Sequence, residues 1–228
     1  MERAIIHSNI TKEDLQPKQL LKKYKEILKE EIPIFFPKDE LIGFMCPAKP
    51  DDDFIESFLA LKMNYSITKT YQNIFLNPRP KSDSLDSFYK KSKARQFWFS
   101  ELWPKTQSIR NEKIISKYIQ WIKRFIDQFF LDREHLVLSE FSPNHWGFFE
   151  LFKDIYPKIE YEMIQPNFNE DTPQLSSVLK YGKYDDSQKD IILMFEAIER
   201  SVDPLSLFKK ASSKLKPGGL CFITTHLS

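Results

Sequence analysis

The chain has 228 residues, 41% of them hydrophobic and 29% charged, which is typical of a folded globular protein. Its 34 basic and 32 acidic side chains give a net charge of +2, which argues against a nucleic-acid or membrane partner. Its two cysteines, Cys46 and Cys221, lie far apart, so no disulfide framework is expected. The first residues lack the apolar core of a secretion signal, and no apolar run is long enough to span a membrane. We therefore expect a cytoplasmic protein.

Residues 1–40 are predicted to hold an N-terminal helix and a linker. Thr11 and Asp14 have the spacing of a helix-capping box. Residues 17–31 carry leucines on one side and lysines on the other, and Pro33 and Pro37 are expected to end this amphipathic helix.

Residues 41–81 are predicted to form a small separate module. The segments 54–63 and 71–76 fit short strands, or one strand and a helical turn. We expect apolar side chains to hold this module together, namely Phe54, Phe58, Leu61, Tyr65 and Phe75.

Residues 82–132 are predicted to be a helical connector. One helix is expected over Ser82–Lys91 and a longer one over Asn111–Phe130, where isoleucines and aromatics recur along a wide apolar stripe. Basic residues at the end of the first helix and just after it could bind nucleic acid, although a solvated face is the simpler interpretation: Lys90, Lys91, Lys93 and Arg95.

Residues 133–228 alternate short apolar runs with helical segments, the pattern of a parallel sheet with crossover helices. Asp203 is a predicted N-cap and Pro204 a first helical residue. Pro217, Gly218 and Gly219 are expected to stop that helix and turn the chain. The predicted strands are residues 135–141, 158–164, 177–181, 190–195 and 220–223, and the predicted helices are residues 145–156 and 204–215.

Three stretches of this region, DIILMFE (190–196), VDP (202–204) and LKPGG (215–219), resemble class I S-adenosylmethionine-dependent methyltransferases. They are similar to that family's fourth strand, the start of its next helix, and the turn before its fifth strand. Arg200 stands where the family often has a histidine. The resemblance implies an α/β fold with a Rossmann-like parallel sheet, here ending after the fifth strand, and a methyl-transfer activity on a small molecule or saccharide.

Upstream segments resemble a bacterial branch of that family that carries an N-terminal zinc-ribbon-like module. The similar segments are NPRP (77–80), the pair Phe88-Tyr89, Phe97-Trp98, and Trp103 to Arg110. In this branch a tetrahedral zinc site needs four thiolate or imidazole ligands. Of these only Cys46 is present, with Lys49 at the expected partner position. We therefore expect no zinc in this chain.

The resemblance also implies a cofactor site for S-adenosylmethionine at the carboxyl ends of the first strands. Glu140 would open a loop that is glycine-rich in the family, where this chain keeps only Gly147 and carries Pro143 and Trp146. Gln165 stands where the family has a glutamate for the ribose hydroxyls. The predicted cofactor-binding residues are Glu140, Ser142, Asn144, Gly147, Gln165 and Glu196.

Other titratable residues are weaker candidates for this site. Glu196 or Glu199 could act as a general base. Asp185 and Asp186 could reach an adenine, although a solvated turn is favoured for them. His145 and His226 are the remaining candidates.

The departures from the family pattern leave a second hypothesis open, a non-catalytic binding or scaffold protein on the same fold. The apolar fifth strand would also present an open sheet edge, which proteins generally avoid. We expect a partner or a further segment of chain to cover that edge.

Overall fold

The computed structural model describes residues 10–43, 51–131, 133, 135–141, 147–164, 180–181, 188–201 and 203–225. The chain forms two compact units, one of residues 16–106 and one that combines residues 1–15 with residues 107–228. The finer division at residues 40, 81 and 132 stays a prediction.

The first helix of each unit begins close to where the sequence places it. Helix α1 (Lys12–Leu15) is preceded by the predicted capping box. The Thr11 amide donates to Asp14 Oδ2 over 2.8 Å, and the Asp14 amide donates to Thr11 Oγ1 over 3.2 Å. Helix α2 (Lys18–Phe35) opens the other unit.

Helix α2 continues through Pro33, so the prediction that this proline ends the helix was wrong. A proline in the last turn removes a single hydrogen bond. The buried side chains of Leu28, Ile32 and Phe36 lie at a spacing of four residues and join one apolar core, which favours the longer helix.

The unit of residues 16–106 also contains a three-stranded antiparallel sheet of β1 (Phe54–Ala60), β2 (Met63–Thr68) and β3 (Ile74–Leu76), in that order. Leu61 and Tyr65 pack against the core beside α2, as predicted. Phe54 and Phe58 do not, because β1 lies at the edge of the sheet and leaves them 37% and 40% exposed.

A run of helices follows the small sheet, and its first member, α3 (Ser82–Lys91), matches the prediction. The predicted helix 111–130 is observed in two parts, a π-helical turn over Asn111–Ile115 and then the regular helix α6. The helices that complete the run are α4 (Lys93–Phe97), α5 (Trp103–Arg110) and α6 (Ser116–Phe129), with a second π-helical turn over Trp98–Leu102.

The second unit contains a parallel sheet, which confirms the predicted α/β Rossmann-like fold. Its strand order among the described residues is β6-β5-β4-β7-β8, or 3-2-1-4-5 in order of appearance along the chain. Each predicted strand is present; the predicted start of the third lies outside the described residues, and the other four have shifted ends. The strands are β4 (Val137–Phe141), β5 (Glu160–Ile164), β6 (Lys180–Tyr181), β7 (Lys189–Phe195) and β8 (Leu215–Thr224).

Helices cover both faces of this sheet. On one face α6 and α7 (Gly147–Ile155) pack on the sheet through buried isoleucines and phenylalanines. On the other face α8 (Pro204–Lys214) packs through Ala211 and Leu207. The predicted N-cap of α8 is confirmed, because Asp203 Oδ1 accepts from the Ser206 amide over 3.0 Å.

The segment Pro217–Gly219 lies inside β8 and not in a turn before it, which corrects the prediction. Helix α8 ends at Lys214 and Leu215 already pairs with Lys189, so the extra residues form an irregularity before Leu220 pairs with Ile191. Gly218 has φ of 79°, a value that glycine adopts without strain. A Cβ on Gly219 would lie 3.0 Å from the Asp190 carbonyl oxygen, so close strand packing also requires glycine there.

Candidate functional site

The connections of the parallel sheet diverge between β4 and β7, which are neighbours. From β4 the chain passes through α7 to β5 on one side, and from β7 it passes through α8 to β8 on the other. A crevice outside the carboxyl ends of the strands is expected at such a switch point, and ligands of open α/β sheets bind there. Glu140 lies near the end of β4 and Glu196 directly follows β7.

The carboxylate of Glu140 is fully buried and only half satisfied. Tyr161 of β5 donates its hydroxyl to Oε2 of Glu140. Oε1 is buried without a hydrogen-bond partner among the described residues. An unpaired buried carboxylate oxygen is costly, so this atom is suited to a ligand donor.

Burial controls the protonation of Glu140. It raises the pKa of the carboxyl to about 7, against the opposing effects of the Tyr161 hydrogen bond and the nearby charge of Arg200. Burial and the neighbouring Glu140 likewise raise the pKa of Tyr161 well above its ordinary value, so this phenol stays protonated and donates. The charge of the Glu140–Tyr161 pair therefore changes near neutral pH, where the Glu140 carboxyl gains or loses its proton.

The loop after β7 is held by Arg200. Its Nε donates to the carbonyl oxygen of Glu196 over 2.5 Å. The Glu196 amide donates to the Thr224 carbonyl oxygen over 3.0 Å, which joins the ends of β7 and β8. Glu196 has φ of 50°, in the left-handed region that non-glycine residues rarely occupy. Such backbone strain is characteristic of functional sites.

Two further polar side chains, Arg110 and Tyr118, lie near the residues that end β7 and β8. Arg110 is buried, donates through Nη2 to the Leu15 carbonyl oxygen over 3.1 Å, and interacts with the charge of Glu196. Burial lowers the pKa of Arg110, while the Glu196 charge raises it. Tyr118 of α6 bonds with Thr224 and lies 4.8 Å from the Phe195 ring between centroids.

Of the six predicted cofactor-binding residues the structure describes three, and their role stays a prediction. The structure places Glu140 and Glu196 at the carboxyl ends of neighbouring strands, with the Arg200 charge acting on Glu140. Gly147 is the first residue of α7, the helix that follows β4. The other predicted or considered residues lie outside the described residues: Ser142, Asn144, His145, Gln165, Asp185, Asp186 and His226.

The sequence prediction missed Arg110, Tyr118 and Tyr161 as polar members of the site. Tyr118 belongs to the apolar stripe of the predicted helix 111–130, and Tyr161 lies in the predicted strand 158–164. Arg110 alone had a signal, because it closes the Trp103 to Arg110 segment of the family resemblance.

No group of three or more potential metal ligands occurs within the described ranges. Cys46 lies outside them. Cys221 is a half-buried thiol of β8, and burial raises its pKa to about 11. In the described part of the chain, no helix combines the length and apolar character needed to cross a membrane.

A separate groove of about 660 Å³ lies at the opposite end of the sheet. Its lining includes Phe130 and Leu136 before β4 and Lys158 and Ile159 before β5, so it opens at the amino ends of the strands. That location separates it from the crevice at the carboxyl ends, and we assign it no role in the candidate site.

No family model matches the chain, and no curated protein matches it. Among solved structures it is similar to the plantazolicin methyltransferase in complex with a monoazolic desmethylPZN analogue and SAH, at 14% identity and a TM-score of 0.40, over 56% of this chain and 55% of that one. It is also similar to coclaurine N-methyltransferase bound to N-methylheliamine and SAH, at 12% identity and a TM-score of 0.32, over 46% and 35%.

A third similar structure is a methyltransferase of calicheamicin biosynthesis in its SAH-bound form, at 8% identity and a TM-score of 0.36, over 61% of this chain and 41% of that one. The matched region thus spans about half or less of each of these proteins. The fold assignment rests on the strand order of the sheet itself, and similarities this distant leave the activity to be argued from the site.

Proposed function

We propose that this protein is an S-adenosylmethionine-dependent methyltransferase that acts on a small molecule or saccharide. The observation that carries the proposal is Oε1 of Glu140, a buried carboxylate oxygen without a partner in the described residues, at the switch point of a Rossmann-like sheet. The distant similarity to methyltransferases agrees with the family resemblance of the sequence but adds no weight to it.

The residues present fit the cofactor at one decisive point. S-adenosylmethionine carries an ammonium group, and the open oxygen of Glu140 can accept a charge-assisted hydrogen bond from such a group. Ser142, Asn144, Gly147 and Gln165 are proposed to complete the site. The cofactor supplies an electrophilic methyl group when it is bound.

The rest of the site is suited to position the methyl acceptor and to take up the proton that the acceptor loses. Glu196 and Glu199 follow β7, and either carboxylate can take the proton that an oxygen or nitrogen acceptor loses on methylation. Phe148 packs on Tyr161 and Phe195 in a buried aromatic layer, and Tyr161 contacts Glu140, so this layer is proposed to exclude water from the Glu140 carboxylate. Alignment and water exclusion are the main contributions that methyl transfer requires of a protein.

The test is a calorimetric titration of the purified chain with S-adenosylmethionine and with S-adenosylhomocysteine. We expect micromolar binding of both, weakened about 10-fold or more by Glu140→Gln, because the charge-assisted hydrogen bond contributes on the order of 1.5–3 kcal/mol. The matched control is Glu150→Gln, which alters an exposed glutamate of α7 and should leave the affinity unchanged.

Absence of binding to either compound, by a chain that circular dichroism shows to be folded, would overturn the proposal. That outcome would favour a non-catalytic scaffold protein of the same fold. The sequence of the loop after β4 favours this second candidate, because Pro143 and Trp146 occupy a loop that needs small residues in the family.

A further inference from the structure

Arg200 brings a positive charge near the open oxygen of Glu140 without bonding to it. Nε of Arg200 donates to the Glu196 carbonyl oxygen over 2.5 Å, and Nη2 donates to the Phe195 carbonyl oxygen over 3.5 Å. Both acceptors are neutral, so these bonds hold the side chain in place and leave its charge intact. Oε1 of Glu140 has no hydrogen-bond partner among the described residues, so it is not bonded to this guanidinium.

The charges of Glu140 and Arg200 lie close enough to act on the same ligand. Burial raises the pKa of the Glu140 carboxyl, and the Tyr161 hydrogen bond and the positive charge of Arg200 oppose that rise. The strand register gives the scale of the separation. Glu140 pairs with Leu193, two residues before Phe195, so its Cα lies roughly 7 Å along the sheet from the end of β7 that Arg200 contacts. An acid and a base thus lie a short distance apart at the switch point.

We propose that Glu140 and Arg200 together bind the zwitterionic end of an α-amino acid. The ammonium group of the ligand donates to Oε1 of Glu140, and its carboxylate accepts from the Arg200 guanidinium. The proposal rests on the proposed function, because the S-adenosylmethionine assigned to this site carries such an end. It adds Arg200 as the residue that selects ligands with a carboxylate.

A zwitterion is the class of ligand that both charges favour. Glu140 attracts a simple amine and Arg200 repels it, while a simple carboxylate meets the reverse situation. An α-amino acid holds its ammonium and carboxylate groups on one carbon atom, so hydrogen bonds of about 2.8 Å to each partner can bridge a gap of several ångströms. Arginine is well suited to a carboxylate, because its planar fork can donate two parallel hydrogen bonds.

The test compares S-adenosylhomocysteine with its decarboxylated form, which keeps the ammonium group and lacks the carboxylate. Calorimetric titration measures both affinities at about pH 8.5, where the Glu140 carboxyl, with a pKa raised to about 7, is ionised. We expect Arg200→Gln to weaken S-adenosylhomocysteine about 10-fold or more and to change the affinity for the decarboxylated form by less than about threefold. Glu140→Gln should weaken both ligands about 10-fold or more, since both carry the ammonium group.

Two further variants separate the charge of Arg200 from its effect on the loop. Arg200→Lys keeps the charge and loses the fork, so it should retain more affinity for S-adenosylhomocysteine than Arg200→Gln does. The matched control is Arg124→Gln, which removes a positive charge from an exposed position of α6 and should leave both affinities unchanged.

Equal weakening of the two ligands by Arg200→Gln overturns the proposal, because a residue that only holds the loop affects both ligands alike. An unchanged affinity for S-adenosylhomocysteine in Arg200→Gln overturns it as well. Both results leave the proposed function standing, since the parent chain still binds the cofactor product. A folded parent chain that binds neither ligand overturns the proposed function and this proposal together.

Discussion

Tyr161 donates its hydroxyl to Oε2 of Glu140, and Oε1 of the same carboxylate has no partner in the described part of the chain. The two residues lie on adjacent strands, with Leu138 of β4 paired with Tyr161 of β5. One donor holds the carboxylate in place while burial opposes its charge. The arrangement leaves an acceptor whose strength depends on pH.

Glu140 should make the folded state less stable as pH rises toward neutrality. Its pKa is raised from 4.5 to about 7, so between these values the folded protein binds more protons than the unfolded one. Stability is therefore lost as pH rises through this window, by about 3 kcal/mol in total. We expect Glu140→Gln to be more stable than the parent above neutral pH and to lose this advantage near pH 4, as measured by urea unfolding. An equal difference at both pH values would contradict the prediction.

Removal of the Tyr161 hydroxyl should destabilise the fold at neutral pH. Tyr161→Phe leaves both oxygens of a buried carboxyl unpaired, which costs about 1–3 kcal/mol. The control is Tyr156→Phe, because Tyr156 donates to Asp127 at an exposed position and should cost under about 1 kcal/mol. Urea unfolding measures the loss of stability in both variants. Similar losses would show that burial does not strengthen the Tyr161 hydrogen bond.

The sheet was predictable because buried parallel strands are apolar throughout. Residues 191–195 are all buried, and the helix that begins at Pro204 has a recognisable cap in Asp203. The position of Gly218 within β8 was not predictable, because Pro-Gly-Gly is a turn signal in sequence and only the pairing of Leu215 with Lys189 extends the strand across it. Strand pairing is a non-local property that local patterns do not encode.

Two residues of the candidate site carry a signal in the sequence, a charge within or directly after an apolar strand. Glu140 has that signal, and so does Glu196 after β7. Tyr161 does not, because tyrosine is common in strands and its hydroxyl becomes significant only through the pairing of β4 with β5. Arg110 enters the site because its helix brings it to the Leu15 carbonyl, 95 residues earlier in the chain.

Glu31 should stabilise the smaller unit through the start of α4. Its buried carboxylate accepts from Ser92 Oγ over 2.6 Å and from the amides of Lys93 and Ala94 over 2.6 Å and 3.0 Å. Glu31→Gln replaces one acceptor oxygen with a donor that faces other donors, so we expect a loss of about 1–3 kcal/mol. Glu30→Gln on the exposed side of α2 should change stability by under about 0.5 kcal/mol. Urea unfolding measures the loss of stability in each variant. Equal losses in the two would show that the hydrogen bonds of Glu31 do not stabilise the unit.

The buried ion pair of Lys189 and Glu162 should show strong coupling. Lys189 Nζ lies 2.6 Å from Glu162 Oε2, the Lys189 side chain is 1% exposed, and Ser139 Oγ donates to the same oxygen over 2.9 Å. Lys189→Met leaves a buried carboxylate with one weak donor, and Glu162→Gln leaves a buried ammonium without its counter-charge. Each change should cost about 3–5 kcal/mol.

The double variant Glu162→Gln/Lys189→Met should recover much of that loss, because it removes both buried charges together and keeps an acceptor for Ser139. A double-mutant cycle by chemical unfolding measures the coupling, which we expect to exceed about 1 kcal/mol. Strictly additive losses would contradict this expectation. They would mean that each side chain is held by its other neighbours and that the pair itself adds no coupling energy.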